Sequence, residues 1–100
     1  MSRRNNKVKV IWRKLGKEKA WGQASCDPDN PLIEIDPRLG AKRRLEVLCH
    51  EALHIAMPEL VGAKGEALVD RAGKIISKVL WDENYRLVQM DKNNHPPKIT

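Results

Sequence analysis

The chain has 100 residues, 41% apolar and 32% charged, with a net charge of +6, which fits one small domain whose modest core a bound metal would help to stabilise. No run approaches the ~18 apolar residues of a membrane span, and the basic start Met1-Ser2-Arg3-Arg4-Asn5-Asn6 lacks the apolar stretch of a signal peptide. The two cysteines, Cys26 and Cys49, make no disulfide framework, so an intracellular, cytoplasmic protein is expected.

The charge is unevenly placed. Residues 1–19 carry eight basic side chains against Glu18 alone, or +7, and the other 81 residues hold eleven basic and twelve acidic ones, or −1. The high pI thus belongs to an N-terminal arm (1–6) and the hairpin expected after it. Its first reading is a solubilising arm and a solvated strand face; its second is a contact for an acidic protein or nucleic acid.

Lys7 to Arg13 alternates charged and apolar residues, which is strand chemistry with Val8, Val10 and Trp12 on one face. Gly16 marks a turn, and Ala20 to Cys26 reads as a second strand weakened by Gly22. Asp27-Pro28-Asp29-Asn30-Pro31 is a dense turn signal, and Leu32 to Asp36 reads as a third strand. The expected sheet is a small antiparallel meander. A helix is expected over 41–57, ended by Pro58, with Leu45, Leu48, Cys49, Ala52, Leu53 and Ala56 as its apolar face. Residues 59–65 read as a loop. A second helix from about Glu66 to Trp81 carries the stripe Leu68, Val69, Ala72, Ile75, Ile76, Val79 and Leu80. Arg86 to Met90 could add an edge strand, and 91–100 reads as a disordered tail after a single domain spanning 1–90. The fold class is therefore α+β, a sheet of three to four strands packed on two helices.

The chemistry lies in His50-Glu51-Ala52-Leu53-His54. Histidines four apart share one face of a helix, so both imidazoles can reach one Zn²⁺ at roughly 2.0–2.1 Å. Glu51, next to the first of them, is then placed to act as a general base on a water. Both histidines point nearly opposite the apolar face expected for their helix, toward a cleft.

A catalytic zinc takes three protein ligands. His95 lies in the expected tail, and Glu59 follows Pro58 too closely to fold back easily. That leaves Glu66 and Asp70 on the second helix. The apolar stripe centres roughly 115° from Glu66 and roughly 155° from Asp70 at 100° per residue. Glu66 also has the longer reach, and a place in the first turn suits a carboxylate. Helical phase thus favours Glu66, with Asp70 as the alternative. Cys49 reads as a small core residue and Cys26 as an incidental thiol.

The string Leu45 to His54, preceded by the strand Leu32 to Asp36 and followed by a helix opening Glu66-Ala67-Leu68-Val69, resembles the zincin metallopeptidases. Within them it looks like a minimal gluzincin-like unit, distantly similar to the ImmA/IrrE-type and SprT-type families over residues 20–81. The SprT type takes a third histidine downstream, which this chain has only in its expected tail. The resemblance implies that His50, His54 and Glu66 bind zinc, that Glu51 is the catalytic base, and that a protein or peptide is hydrolysed. It also implies that the strand before the motif helix pairs with extended substrate, which makes Ile33, Glu34, Ile35 and Asp36 candidates to line the cleft. Tyr85 and Arg86 are candidates to return to the cleft and stabilise an oxyanion. The alternative is a binding module that keeps zinc structurally and uses its basic hairpin for an acidic partner or nucleic acid.

Overall fold

A computed structural model describes residues 7–16 and 21–86. The arm at 1–6, the edge strand at 87–90 and the tail at 91–100 lie outside the described residues; Arg86 itself is not in a strand. The order along the chain is β1 (Lys9–Trp12), β2 (Gly22–Ser25), β3 (Leu32–Ile35), α1 (Ala41–Ala56) and α2 (Gly62–Asp82). This is an α+β fold of a three-stranded sheet and two helices.

The sheet is mixed, in the order β1-β3-β2. β3 lies in the centre, parallel to β1 with Val10 opposite Ile33 and Trp12 opposite Ile35. It is antiparallel to β2, with Ala24 opposite Ile33 and Gly22 opposite Ile35. The expected meander and its N-terminal hairpin are therefore corrected: β1 and β2 are the two edges and do not pair with each other. The reason is burial. Leu32-Ile33-Glu34-Ile35 is the most apolar strand, and the centre of a sheet is where Ile33 (2% exposed) and Ile35 (0%) lose most water. Val10, Trp12, Leu39, Leu48 and Ile55 pack around these two and Val47.

The turns follow their side chains. Asp27 accepts from the Asp29 N–H through Oδ1 at 2.9 Å and from the Asn30 N–H through its carbonyl at 3.1 Å, closing the turn into β3. After β3, the fully buried Asp36 accepts from the Arg38 N–H (3.0 Å), from Arg38 Nε (2.8 Å) and from the Leu15 N–H (3.1 Å). One carboxylate thus ties the chain after β1 to the turn into α1.

α1 stops before Pro58, as its ring requires. α2 begins at Gly62, whose φ of +78° makes the reversal between the helices, so the expected loop at 59–65 is shorter and Gly62 to Gly65 are helical. The end of α2 is a Schellman cap: Asn84 takes φ +72°, its N–H donates to the Trp81 carbonyl (3.0 Å), and the Tyr85 N–H donates to that of Leu80 (2.8 Å).

The helix faces differ from the expected ones. α1 meets the sheet through Val47, Leu48, Glu51 and Ile55, while Ala52 and Ala56 are exposed. α2 buries Gly65, Val69, Gly73 and Ser77, a stripe of mostly small residues, and leaves Leu68, Ile75, Ile76 and Val79 exposed. Gly73 shows why: a Cβ there would lie 3.2 Å from His50 Cα and 3.3 Å from its backbone N. The absence of a side chain lets α2 lie directly against the motif on α1. No helix among the described residues is long and apolar enough to cross a membrane.

Candidate metal centre

α1 puts His50 and His54 one turn apart, with ring centroids 5.0 Å apart and planes at 64°. α2 brings Glu66 between them. His50 Nε2 lies 3.0 Å from Glu66 Oε2, and His54 Nε2 lies 3.2 Å from Glu66 Oε1. One donor atom from each of the three residues falls within 4.8 Å of the others. A tetrahedral zinc with bonds near 2.0–2.1 Å holds its ligands roughly 3.3 Å apart. Each histidine Nε2 lies at about that distance from one of the two Glu66 oxygens, and two imidazole nitrogens with one carboxylate form an ordinary zinc donor set. The residues fit the ion. The histidine side chains are 20% and 26% exposed and Glu66 57%, so the group opens to solvent on the α2 side.

Glu66 is not in the first turn of α2, which has no acidic residue there. The helix-dipole argument for it is thereby corrected. What places Glu66 is the close approach at Gly73, together with its own position beside the packed stripe.

Asp70, the alternative ligand, has a different position. Its Oδ1 lies 3.7 Å from His50 Nδ1, on the far side of that ring from Glu66, and its Oδ2 accepts from Lys74 Nζ at 3.0 Å. The lysine hydrogen bond, aided by the charges of Lys74, His50 and Arg43 and opposed by desolvation, lowers its pKa. At 3.7 Å Asp70 and His50 Nδ1 make no hydrogen bond, and the Asp70 carboxylate stands behind Nδ1 as a negative charge. That placement is not legible in the sequence, because it depends on the height of α2 along α1.

Glu51 is 8% exposed, on the sheet side of α1. It fits there because Gly22 of β2 carries no side chain: a Cβ would lie 3.2 Å from Glu51 Cγ and 2.5 Å from Val47 Cγ1. Burial raises the Glu51 pKa; His50 and His54 pull it down and Glu66 pushes it up. Glu51 and His50 line an open cleft with Trp21, Gly22, Arg43 and Asp70.

The candidate substrate strand lies elsewhere. Ile33 and Ile35 are core, and both edges of β3 are already hydrogen-bonded. Glu34 is on the opposite face, held by Arg13 Nε (2.8 Å) and Gln23 Nε2 (2.6 Å), which lower its pKa. Asp36 is tied to Arg38 and the Leu15 backbone. None of the four can pair with a substrate backbone, so that expectation is corrected; the strand that borders the cleft is the edge strand β2. Tyr85 and Arg86 stay at the C-terminal end of α2, where Arg86 donates to the Trp81 carbonyl and stacks 4.4 Å over its ring. Among the described residues the cation lining the cleft is Arg43, 3.8 Å from Glu46. Cys26 donates its S–H to the His54 carbonyl (3.2 Å), and Cys49 is half-buried with its thiol pKa raised by desolvation.

Compared with known proteins, the chain matches no family model, no curated protein and no solved structure.

Proposed function

We propose that the protein is a zinc-dependent metallopeptidase that hydrolyses a protein or peptide substrate. The observation that carries the reading is the convergence of His50, His54 and Glu66 within 4.8 Å, with the buried carboxylate of Glu51 next to the first histidine. When bound, Zn²⁺ would supply Lewis acidity, lowering the pKa of a water toward ~7 and polarising the scissile carbonyl. Glu51 accepts the proton of the attacking water and passes it to the leaving amine. Asp70, 3.7 Å behind His50 Nδ1, places a negative charge on the side of the ring away from Glu66. Arg43 stands in the cleft to face the oxyanion or a substrate carboxylate. Among the described residues β2 is an edge strand, the position from which β-strand addition to an extended substrate proceeds.

A zinc module that only binds an acidic partner through its basic N-terminal segment has no use for a carboxylate held beside an open three-ligand group. Glu51→Gln separates the two readings. It keeps the volume and the metal group, and should retain zinc while losing about 10²–10⁴-fold in peptide hydrolysis. Full activity in that variant would refute the peptidase reading.

A further inference from the structure

α2 uses only part of its surface for folding. Its buried stripe, Gly65-Val69-Gly73-Ser77, faces α1. About 120° round the helix from it, Leu68, Ile75 and Val79 remain 45%, 58% and 56% exposed; Val61, the extended residue just before α2, is 74% exposed, and Ile76, nearer α1, 42%. Leu68, Ala72, Ile75 and Val79 follow one another at four, three and four residues, the spacing of a coiled-coil seam. Lys64, Arg71 and Lys78, seven apart, form one flank of this face, and a groove beside Leu68 is lined by Lys64, Ala67 and Arg71. Lys78 is held by Asp82 at 2.8 Å, and among the described residues Lys64 and Arg71 make no ion pair.

The charges indicate what can cover this seam. The other flank holds Ile76 and Val69, and Val69 is buried against α1. In a parallel pair of two copies, Lys64 and Arg71 would meet that apolar side and no acid. In an antiparallel pair the basic flank would meet itself, with Arg71 near its own symmetry mate. Either arrangement leaves Lys64 and Arg71 unmatched, so a second copy is disfavoured. A helix with apolar residues at heptad spacing and acidic residues along its edge matches the seam and its basic flank.

We propose that the exposed face of α2 docks an acidic amphipathic helix of another protein. Its apolar residues lie on Leu68, Ala72, Ile75 and Val79, and its carboxylates face Lys64 and Arg71. The seam is well round the helix from Glu66 and Asp70, so a docked partner leaves the metal group open. The surface recruits a substrate or an adaptor while the cleft stays free, and it stands whether or not the protein is a peptidase.

The test is a binding titration of the full chain against two labelled synthetic helices of the length of α2. One has leucine on its seam and glutamate on both flanks; the other has lysine for every glutamate. The acidic helix should bind at least about tenfold more tightly, and added salt should weaken it. Lys64→Glu with Arg71→Glu should reverse the preference, and Ile75→Glu should abolish binding of both helices, with circular dichroism and zinc content unchanged in each variant. The proposal is overturned if the wild type does not discriminate between the helices or binds neither, or if the charge reversal leaves the preference unaltered. It is equally overturned if sedimentation finds a dimer that Ile75→Glu disperses, which gives the seam to a second copy. Tighter capture by phosphatidylserine vesicles than by the acidic helix, lost in Ile75→Glu, gives it to a membrane and also overturns the proposal.

Discussion

Gly73→Ala tests how the site is held together. A methyl at this position would lie 3.2 Å from His50 Cα, 3.3 Å from its N and 3.5 Å from its Cβ. Carbon contacts relax at about 3.5–4.0 Å, so the helices must part by about 0.3–0.5 Å. The atoms met are mostly helix backbone and cannot turn aside. Alanine in mid-helix gains about 0.8–1.0 kcal/mol over glycine, and overpacking a tight contact costs about 1–3 kcal/mol. The net expectation is a loss of about 0–2 kcal/mol in the zinc-free protein, read from urea unfolding. The metal group is more sensitive, because ligand distances have to hold within about 0.2 Å. Separating His50 from the helix that carries Glu66 should weaken zinc about tenfold, or ~1.4 kcal/mol, read by competition with a chromophoric chelator. A variant that gains the full propensity term, about 1 kcal/mol, with unchanged zinc affinity would refute the argument that close packing at Gly73 positions the site.

Two further outcomes follow from the local structure. Gly40 is the N-cap of α1, in extended backbone with no capping side chain, and a Cβ there meets nothing within 4 Å. The first turn carries Lys42, Arg43 and Arg44 and no acid, so Gly40→Asp should stabilise by about 0.5–1 kcal/mol through the cap and the helix dipole and raise Tm by a few degrees; an unchanged or lower Tm would contradict this. For Asp36, the Arg38 guanidinium, followed by the backbone N–H groups of Arg38 and Leu15, outweighs burial and holds the carboxyl well below the usual carboxylate range. A depressed folded-state pKa means that its stabilisation is complete above the unfolded value near ~3.9 and is lost as pH falls toward the folded value. Asp36→Asn should therefore unfold more easily at neutral pH and show a flatter loss of urea midpoint on acidification; a pH profile parallel to the wild type would contradict it.

The local parts of the fold were legible because local chemistry decides them. The Asp27–Pro31 turn, the three strands and the end of α1 at Pro58 follow from a few neighbouring residues each. Strand order was not legible, because nothing within β1 or β2 states that β3 will lie between them; the burial of Ile33 and Ile35 decides it. The face of α2 was misread for a related reason. Hydropathy assigns the core to Leu68, Val69, Ala72, Ile75, Ile76, Val79 and Leu80, of which Val69 is buried and Leu68, Ile75, Ile76 and Val79 are exposed. Close helix packing selected Gly65, Gly73 and Ser77 beside Val69, and the smallness of these three, seen best at Gly73, is the useful property. Glu66 thus reaches the histidines by a different route from the one its helical phase suggested. The histidine spacing needed only the helix itself.

The most direct test of the account is the zinc stoichiometry of the purified protein, measured by mass spectrometry of the metal beside Glu66→Ala and the double variant His50→Ala/His54→Ala. The account predicts one zinc per chain in the wild type, affinity weakened at least about tenfold without Glu66, and no bound zinc without the histidines. A wild type that takes up no zinc on incubation with the metal, or a double variant that still holds one equivalent, would contradict it.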